Sequence, residues 1–583
     1  MDEPQTPLTW TEDGHPRSRI FGDVYFSAQD GLAETRTVFL AGCGLPEAWS
    51  GRRRFTVAEL GFGTGLNIAA LLDLWGRTRE PGARLHVFSV EAHPIAAEES
   101  VRALARWPEL SAVVELLTRR WPGRARGVHR VDLPELGAIL DVAVMDVAEA
   151  LAGWSGAADA WFLDGFSPAL NPGMWRDDVL ALVAARSAPG ARAATFTVAG
   201  QVRRGLVAAG FEVEKRPGYG RKRERLEARL PGRAPPDPAV RRVAVIGGGI
   251  AGASAARAVR ALGAEPVVIE KDHPGAGGSG NPAALVTPRL DAGLGAPARL
   301  FAQAFGRAVR LYEQDGPEAI LRRGVRQLAA GPRDAERFAK IAASGLFEPE
   351  ALEASDAGLD QRTALVLEPA PVLDAWIGAV VHATVGGVRR DGDAWLVETP
   401  QGGEILWADA VIVAAAMDSA TLAPDLPLTA VRGQASWTDT RLAPIPATAW
   451  GGYVLPIRHG LLFGATHDRG DGAIDVRAED HRRNLETLAA AFPDLAARLE
   501  GAELAGRASI RAMTPDRLPL AGAGADGVLL LTGFGSRGFA HAPLLAEHVA
   551  ALALGAPSPL PRDLAELVDP GRFARRAARR SNS

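Results

Sequence analysis

Cysteine is almost absent from this 583-residue chain, since Cys43 is the only one. A single cysteine excludes a disulfide within the chain and a zinc site built on cysteines. Such a composition is typical of a reducing compartment, and we expect the protein in the cytoplasm. The sequence has no run of about 18 apolar residues that would predict a membrane span. Residues 1–11 are polar and lack the apolar core of a signal peptide.

An excess of charge is also missing, because the formal net charge is only −4. Overall charge therefore does not indicate nucleic-acid binding, and any RNA site has to be a local basic patch. The chain is long enough for about three or four domains, or for two large composite ones. We expect no metal, no membrane partner and a monomer.

Two segments have the pattern of a strand, a glycine-rich turn and a helix. They are 55–72, FTVAELGFGTGLNIAALL, and 242–262, RVAVIGGGIAGASAARAVRAL. Each predicts the start of a nucleotide-binding α/β unit. Between them, 228–241 holds four prolines in fourteen residues, which favours an extended linker. We predict domains at 1–228 and 242–583, a linker at 229–241, and a frayed basic end, FARRAARRSNS.

The first turn has the features of a small-cofactor site. Four residues in and before it would contact the cofactor: Glu59, Gly61, Gly63 and Gly65. Acids end the next three strand-like runs: Glu91, Asp146 and Asp164. The carboxyl ends of parallel strands line one crevice, where an acid can accept both hydroxyls of a ribose. The turn lacks the glycine spacing that holds a pyrophosphate, so it favours S-adenosylmethionine (SAM). A glycine-rich turn in an unrelated α/β domain is the alternative.

Asp164 opens the stretch Asp-Gly-Phe-Ser-Pro, which resembles the catalytic loop of amino-group methyltransferases. A primary amine has a pKa near that of lysine, about 10.4, and its protonated form has no lone pair for a methyl group. A carboxylate beside the amine can orient it and accept its proton. Asp164 is therefore the candidate catalytic residue of this domain. The alternative is that it only caps a loop.

The second turn fits the dinucleotide fingerprint. Its glycines are Gly247, Gly249 and Gly252, and Glu270 ends the following strand, 23 residues after Gly247. This arrangement predicts a pyrophosphate at the helix N-terminus and a ribose on the acid. A second glycine-rich stretch, a buried strand at 409–416 and a strand-turn-helix at 529–554 favour FAD over NAD. The further cofactor candidates are Gly278, Ser279, Gly280, Asn281, Gly533, Gly535, Ser536, Arg537 and Gly538.

Arg511 lies just before that terminal strand and could bind a substrate carboxylate through two parallel hydrogen bonds. Tyr453, one of only four tyrosines, could help to orient the same carboxylate. A surface arginine is the alternative interpretation of Arg511.

The whole chain resembles the family of bifunctional tRNA 5-methylaminomethyl-2-thiouridine biosynthesis proteins, MnmC. The matching stretches include FGDVYFSAQDGLAETRTVFLAG, ELGFGTGLN and DAWFLDGFSPALNPGMW in the first half. In the second half they include IGGGIAGA, GGSGNPAAL, TPDRLPLAG and GFGSRGFAHAPLLAEH. The resemblance implies a Rossmann-like SAM methyltransferase domain joined to a glycine-oxidase-like FAD domain with an inserted α+β substrate part. It implies FAD-binding segments at about 242–300, 365–430 and 505–570, and a substrate part at about 300–365 and 430–505.

The resemblance also implies a substrate, the wobble uridine at position 34 of certain tRNAs. The FAD domain would remove the carboxymethyl group of 5-carboxymethylaminomethyluridine as glyoxylate, and the SAM domain would methylate the amine that remains. This order agrees with the chemistry of the two sites, because the oxidation yields the primary amine that Asp164 needs. It also strengthens the case for Arg511 as a carboxylate anchor.

A local basic run offers a place for the RNA. Residues 215–242 contain ten Lys or Arg and three Asp or Glu, and such a patch can neutralise phosphates. The substrate-binding candidates there are Arg221, Lys222 and Arg223. A flipped base could stack on Phe166, Trp175 or Tyr219. A solvated strand edge is the alternative for the basic run, and a place in the core is the alternative for the aromatic residues.

Two other functions stay open from the residues alone. The chain could be an amino-acid oxidase fused to a small-amine methyltransferase, which would act on free glycine or sarcosine. The N-terminal domain could instead bind tRNA without catalysis, although its four acids argue against that.

Overall fold

The computed structural model describes residues 6–220, 222–234, 236–237, 241–440 and 445–581. It divides into two compact units. The first unit takes Met1–Ala239 and Pro557–Arg562, and the second takes Val240–Ala556 and Asp563–Ser583. Residues 557–562, which the prediction placed in the second domain, therefore belong to the first unit. This short stretch belongs to the first unit because Arg130 Nη2 donates a hydrogen bond to the carbonyl oxygen of Pro557 at 3.2 Å, a tertiary contact that no local pattern reveals.

The strands of the first unit are β1 (Leu8–Trp10), β2 (Pro16–Ser18), β3 (Arg54–Leu60), β4 (Arg84–Val90), β5 (Gly127–Leu133), β6 (Ala138–Val144), β7 (Ala158–Leu163), β8 (Ser187–Thr195), β9 (Glu212–Pro217) and β10 (Glu224–Arg229). Its helices are α1 (Gly31–Thr35), α2 (Leu66–Thr78), α3 (Ala97–Leu104), α4 (Ser111–Thr118), α5 (Val147–Gly153), α6 (Asp177–Ala185) and α7 (Gly200–Ala208). Strand β10 includes Arg229, so the predicted linker starts one residue too early.

Eight of these strands form one sheet in the order β5-β6-β4-β3-β7-β8-β10-β9. The central strands are parallel and almost fully buried, as expected for a sheet with helices on both faces. Successive residues of β3 supply opposite cores, with Val57 on one face and Ala58 on the other. The chain leaves β3 for β4 on one side and later returns to β7 on the other. The carboxyl ends of β3 and β7 therefore flank a topological switch point, where α/β proteins bind ligands.

The strands of the second unit are β11 (Arg242–Ile246), β12 (Glu265–Glu270), β13 (Ala284–Val286), β14 (Ile320–Leu328), β15 (Leu352–Ser355), β16 (Gly358–Leu367), β17 (Val380–His382), β18 (Gly387–Asp391), β19 (Ala394–Glu398), β20 (Glu404–Ala408), β21 (Ala410–Val413), β22 (Thr429–Thr438), β23 (Thr448–Ala449), β24 (Tyr453–Pro456), β25 (Leu461–Gly464), β26 (Asp468–Arg469), β27 (Ala505–Met513), β28 (Leu520–Ala523) and β29 (Leu529–Thr532). Its helices are α8 (Ile250–Ala261), α9 (Ala296–Asp315), α10 (Pro332–Ala342), α11 (Pro369–Ile377), α12 (Ser419–Leu422), α13 (Ala478–Ala491), α14 (Pro493–Arg498), α15 (Gly538–Leu554), α16 (Arg562–Val568) and α17 (Arg572–Ser581).

Three sheets organise the second unit. A six-stranded sheet, β17-β12-β11-β21-β29-β28, contains the dinucleotide turn, and the strand predicted at 409–416 is β21, parallel to β11. A ten-stranded sheet contains β13, β14, β15, β16 and β22 to β27, and a small sheet joins β18, β19 and β20. Together with the first unit, this confirms the α/β fold expected for two nucleotide-binding domains.

Two finer expectations need correction in this unit. Strand β27 lies in the ten-stranded sheet, paired with β22, and not in the FAD-binding segment predicted at about 505–570. A strand that follows a long insertion carries no local mark of the sheet it joins. The basic C-terminal end is helical over Arg572–Ser581 rather than frayed, because Arg572 anchors its start through an ion pair with Asp516 at 2.9 Å.

In the part of the chain that the structure describes, no helix is long and apolar enough to cross a membrane.

Candidate active sites

The predicted SAM site lies at the carboxyl edge of the first sheet. The turn after β3 packs directly on the end of β7, because the backbone N–H of Asp164 donates to the carbonyl oxygen of Leu60 at 3.2 Å. A Cβ on Gly61 would lie 2.7 Å from the carbonyl oxygen of Asp164. Only glycine therefore allows this approach, which brings the predicted cofactor turn beside the predicted catalytic acid.

Glu91 and Asp146 follow β4 and β6 at the same edge. The carboxylate of Glu91 accepts the backbone N–H of Gly63 at 2.9 Å and that of His93 at 2.8 Å. It thus lies against the glycine turn, where an acid could reach ribose hydroxyls. Asp146 is exposed and caps α5, since its side chain accepts the N–H of Ala148 at 2.9 Å. Both roles in cofactor binding stay predictions, and this edge fits an adenosine-containing cofactor.

Asp164 is half-buried, and its carboxylate accepts a hydrogen bond from Asn67 Nδ2 at 2.6 Å. Burial raises the pKa of Asp164 well above its usual range, and the negative charges of Glu59 and Glu34 add to this effect. The hydrogen bond from Asn67 and the positive charge of Lys222 act in the opposite direction. A carboxylate in such surroundings is a stronger base than an exposed aspartate, which suits the transfer of a proton from an amine.

Glu59 lies deeper than the sequence suggested. Its side chain is 0% exposed, and its two oxygens accept hydrogen bonds from Ser89 Oγ at 2.6 Å and Asn67 Nδ2 at 3.1 Å. Burial raises the pKa of Glu59 to about 8. Direct contact between Glu59 and the cofactor stays a prediction, but the geometry favours a supporting role behind the turn.

Sequence reasoning missed Asn67 and its neighbours Ser89 and Thr35. Asn67 lies in the first turn of α2, within the stretch ELGFGTGLN, so the motif contained the signal. Glycine spacing after a strand is diagnostic of a cofactor turn, whereas one asparagine in a helix has no distinctive pattern.

Aromatic residues cover one side of the loop that follows Asp164. The ring of Phe166 lies 5.2 Å from those of Phe21 and Tyr25, so this predicted substrate-binding residue is part of a partly exposed aromatic group. Trp175 is fully buried and donates its indole N–H to the carbonyl oxygen of Phe166 at 2.8 Å. Trp175 therefore supports the loop and cannot stack on a base, while Tyr219 packs partly buried against the core.

Five of the nine described basic residues in the run at 215–242 form ion pairs with acids. Lys222 pairs with Glu34 at 2.9 Å and lies over the ring of Phe196, and Lys215 pairs with Glu224 at 2.7 Å. Other pairs in the run are Arg216 with Glu214 and Arg225 with Glu227. Arg223 is exposed, and Arg221 lies outside the described residues. The high count of basic residues therefore overstates the charge that this surface offers to RNA.

The predicted FAD turn lies between β11 and α8. A Cβ on Gly252 would overlap the carbonyl oxygen of Gly247, so the helix packs against the turn more closely than any other residue allows. Glu270 accepts the N–H of Gly248 at 2.6 Å, and Ser279 Oγ accepts the N–H of Ile250 at 3.0 Å at the start of α8. These contacts bring the fingerprint acid and the second glycine-rich stretch to one helix N-terminus, where a pyrophosphate fits.

Arg507, which the sequence analysis missed, holds that second stretch in place. It donates to the carbonyl oxygens of Gly275, Ala276 and Gly277, and more weakly to Asn281 Oδ1 at 3.5 Å. Its location on β27 gave no signal, because only the fold brings β27 beside residues 275–281. The loop is thus fixed by a side chain more than two hundred residues away.

The turn before α15 also converges on this region. A Cβ on Gly538 would lie 3.0 Å from Ile250 Cγ2, so the N-termini of α8 and α15 meet. Ser536 is exposed, whereas Arg537 turns inward and donates to the carbonyl oxygens of Thr287 and Pro288. Burial, together with the nearby charge of Arg289, lowers the pKa of Arg537 to about 10. The turn and both helix ends fit a flavin cofactor, with Arg537 as a support of the turn.

Arg511 and Tyr453 meet in the ten-stranded sheet. Arg511 Nη1 donates to the carbonyl oxygen of Thr466 at 3.1 Å, and its guanidinium lies over Gly433, where any Cβ would overlap it. Burial lowers the pKa of Arg511 and raises that of Tyr453, and the two groups lie close enough to influence each other. A half-buried arginine beside a tyrosine hydroxyl can bind a carboxylate.

Among the described residues, no cluster of His, Cys, Asp or Glu could hold a metal ion.

Comparisons with known proteins agree with the two predicted cofactors. Residues 108–231 match the family model of S-adenosyl-L-methionine-dependent methyltransferases, and residues 242–552 match that of FAD dependent oxidoreductases. The chain is 60% identical over 580 residues to the tRNA 5-methylaminomethyl-2-thiouridine biosynthesis bifunctional protein MnmC of Caulobacter vibrioides, covering 97% of this chain and 98% of that protein. It is 44% identical over 582 residues to the protein of the same name from Maricaulis maris, covering 98% and 97%.

Among solved structures, the glycine oxidase of Geobacillus kaustophilus is 23% identical, with a TM-score of 0.45, and covers 55% of this chain and 96% of its own. The match to the two curated relatives extends over nearly the full length of the chain, including both cofactor turns. The chain therefore belongs to the MnmC family of bifunctional proteins, with a SAM-dependent methyltransferase domain followed by an FAD-dependent oxidoreductase domain.

Proposed function

We propose that the chain carries out two successive steps on the wobble uridine of tRNA. The FAD-dependent unit removes the carboxymethyl group of 5-carboxymethylaminomethyl-(2-thio)uridine and leaves 5-aminomethyl-(2-thio)uridine. The SAM-dependent unit then methylates this amine to 5-methylaminomethyl-(2-thio)uridine. The observation that carries the proposal is the half-buried Asp164, bonded to Asn67 beside the SAM turn and with a raised pKa, since a carboxylate there can orient a protonated amine and take its proton. The nucleoside is taken from the function named for the relative in Caulobacter vibrioides.

The first step acts on an N-substituted glycine, so its substrate brings a carboxylate. Arg511 and Tyr453 would bind that carboxylate and thereby fix the CH₂ group between it and the nitrogen. FAD, when bound, supplies the two-electron oxidant that takes a hydride from this CH₂ group. The C=N bond that results is hydrolysed by water, which gives glyoxylate and the primary amine.

The second step needs that amine without its proton. SAM, when bound, supplies the methyl group. Asp164 would accept a hydrogen bond from the ammonium group, orient it toward the methyl donor and take up the proton that the nitrogen loses. Phe21, Tyr25 and Phe166 form an aromatic surface beside Asp164 on which a flipped base could stack.

Unpaired arginines near Arg511 are better candidates for phosphate contacts than the basic run. Arg469 on β26 and Arg511 on β27 both lie directly opposite Val431 of β22, so they share one face of the sheet. Arg469 and Arg517 are exposed, and neither forms an ion pair with any described residue. The pKa of the neighbouring His467 is lowered mainly by burial. The positive charges of Arg511, Arg469 and Arg517 lower it further. We infer that Arg469 and Arg517 contact phosphates while Arg511 binds the carboxylate.

Replacing Arg469 and Arg517 by Ala should weaken tRNA binding and reduce its salt dependence. Each phosphate contact contributes about 0.7–0.9 to the slope of log K against log salt, so the double variant should lose roughly 1.5. Fluorescence anisotropy with undermodified tRNA over a salt series measures this slope. Arg216→Ala is the matched control, because Arg216 is exposed but paired with Glu214. If the salt slope fell in Arg216→Ala and stayed unchanged in the double variant, the basic run at 215–242 would be the RNA contact instead.

Nucleoside mass spectrometry of tRNA tests the function as a whole. A deletion strain should accumulate 5-carboxymethylaminomethyl nucleosides, and the purified protein with FAD and SAM should convert them to methylaminomethyl nucleosides. An unchanged profile in the strain, together with oxidation of free glycine or sarcosine by the purified protein, would favour the small-molecule oxidase instead. Because tRNA is the proposed substrate, the proposal includes the cytoplasm as the site of action.

A further inference from the structure

Asn67 joins two carboxylates through a single side-chain amide. Its Nδ2 group donates one hydrogen bond to Glu59 at 3.1 Å and another to Asp164 at 2.6 Å. Its Oδ1 accepts a hydrogen bond from Thr35 Oγ1 at 2.8 Å. The hydroxyl of Thr35 thus fixes which way the amide faces, and both amide hydrogens are used by acids from different strands.

Glu59 is an unusual residue to bury at this position. Its hydrogen-bond donors are the neutral groups of Ser89 and Asn67, and no described lysine, arginine or histidine forms an ion pair with it. A buried carboxylate without a cation is costly, so such groups tend to occur where they serve a site. Its side chain is screened from solvent, and Asn67 links it to the reacting acid Asp164.

We propose that Asn67 is a positioning residue that aims the carboxylate of Asp164 at the substrate amine, and that Glu59 acts on Asp164 through its charge. This inference rests on the proposed methylation. The amide of Asn67 occupies Oδ2 of Asp164, which leaves Oδ1 for the ammonium group of the substrate. Glu59 does not touch the substrate, and when it is ionised its negative charge makes Asp164 a stronger base.

The charged groups that face Asp164 come from three elements. Glu59 from β3 and Glu34 from α1 raise the pKa of Asp164, whereas Lys222, which follows β9, lowers it. Glu91, after β4, contributes to the raised pKa of Glu59. Methylation requires Asp164 without its proton, so activity should fall as the pH drops through the pKa of Asp164. This acidic limb of the pH profile therefore reports the effect of each neighbour.

The test compares Glu59→Gln with the double variant Glu59→Gln/Asn67→Ala. Glu59→Gln removes the negative charge that Glu59 carries when ionised. It can keep the hydrogen bond from Asn67 and reverse the one with Ser89, so the acidic limb of methylation should move to lower pH. Adding Asn67→Ala in that background removes the donor to Asp164, together with the neutral contacts to the side chain at position 59 and to Thr35, so the limb should move back to higher pH. Opposite shifts are the signature, because a general loss of structure would not produce them.

A second measurement does not depend on activity. Infrared difference spectra recorded over a pH series follow the band of the protonated Asp164 carboxyl group. That band is identified as the one that is lost in Asp164→Asn. The same opposite shifts should appear in this titration.

In the single variant Asn67→Ala, kcat for methylation should fall about 10- to 100-fold because the acid is misplaced, while the Kd for SAM stays within about twofold. Thr78→Ala is the control, since it removes an exposed side-chain hydrogen bond from the same helix.

The outcomes separate this inference from the proposed function. If the wild-type protein fails to methylate aminomethyl-uridine tRNA, the proposed function is wrong. If the infrared titrations of the wild type, Glu59→Gln and the double variant coincide, the inference is wrong whatever the activity. A loss of SAM affinity in Asn67→Ala that equals the loss of kcat would also overturn it, because Asn67 would then support the cofactor turn instead.

Discussion

Asp164→Asn should abolish the methylation step while leaving the oxidation step intact. Asparagine keeps the shape of the side chain and its contact with Asn67, but it cannot accept a proton from the substrate amine. General-base catalysis is worth about 10²- to 10⁴-fold, so the rate of methyl transfer should fall by roughly that factor. Transfer of labelled methyl groups from SAM to tRNA measures it, and nucleoside mass spectrometry should show 5-aminomethyluridine accumulating.

The control for this experiment is Asp178→Asn. Asp178 lies in the same region of the chain, at the start of α6, but it is exposed and pairs with Arg176 at 2.9 Å. Its variant should methylate normally. If Asp164→Asn retained methylation within a few-fold of the wild type, Asp164 would be only a loop residue, as one interpretation of the sequence allows.

Arg511→Met should impair the oxidation step without affecting methylation of tRNA that already carries the aminomethyl group. Methionine fills part of the space but cannot pair with a carboxylate. Truncating one partner of a buried charge pair costs about 2–5 kcal/mol, so kcat/KM for removal of the carboxymethyl group should fall about 30- to 5,000-fold. Most of the loss should appear in KM. Glyoxylate release measures the reaction, and the flavin absorbance confirms that FAD is still bound.

Gly433→Ala offers an independent way to move the same arginine. A Cβ at 433 would overlap the guanidinium of Arg511, so this variant should weaken the oxidation in the same direction with Arg511 still present. Gly451→Ala is the matched control, because no heavy atom lies within 4 Å of the added Cβ. Normal kcat/KM in both Arg511→Met and Gly433→Ala would assign the carboxylate to another residue.

The sequence predicted the parts of each site that depend on local pattern. Glycine spacing after an apolar strand predicted the turns that follow β3 and β11, and it predicted Glu91 and Glu270 at the ends of the strands that come next. Both acids contact the backbone of their own glycine turn. These features are readable because strand, turn and helix alternate over a few tens of residues. The order of the two domains and their cofactors, which the family comparison confirms, needed nothing more.

Other residues could be judged only in the folded chain. The number of charges in the run at 215–242 predicted an RNA site, but five of its nine described lysines and arginines pair with acids. Counting aromatics left Trp175 as a stacking candidate, although it is buried beneath the loop. Composition cannot distinguish a paired charge from a free one, because pairing depends on geometry. Arg225 pairs with Glu227 two residues away, whereas Lys222 pairs with Glu34, 188 residues away.

The sequence by itself determined which cofactors this protein uses and which acid stands beside each turn, because short-range periodicity and glycine spacing dictate them. Only the tertiary structure decided which side chains surround those acids. Asn67 and Asp164 are 97 residues apart, and Gly433 and Arg511 meet only because β22 pairs with β27. Side-chain hydrogen bonds and burial depend on which strands become neighbours, and that is a property of the whole fold.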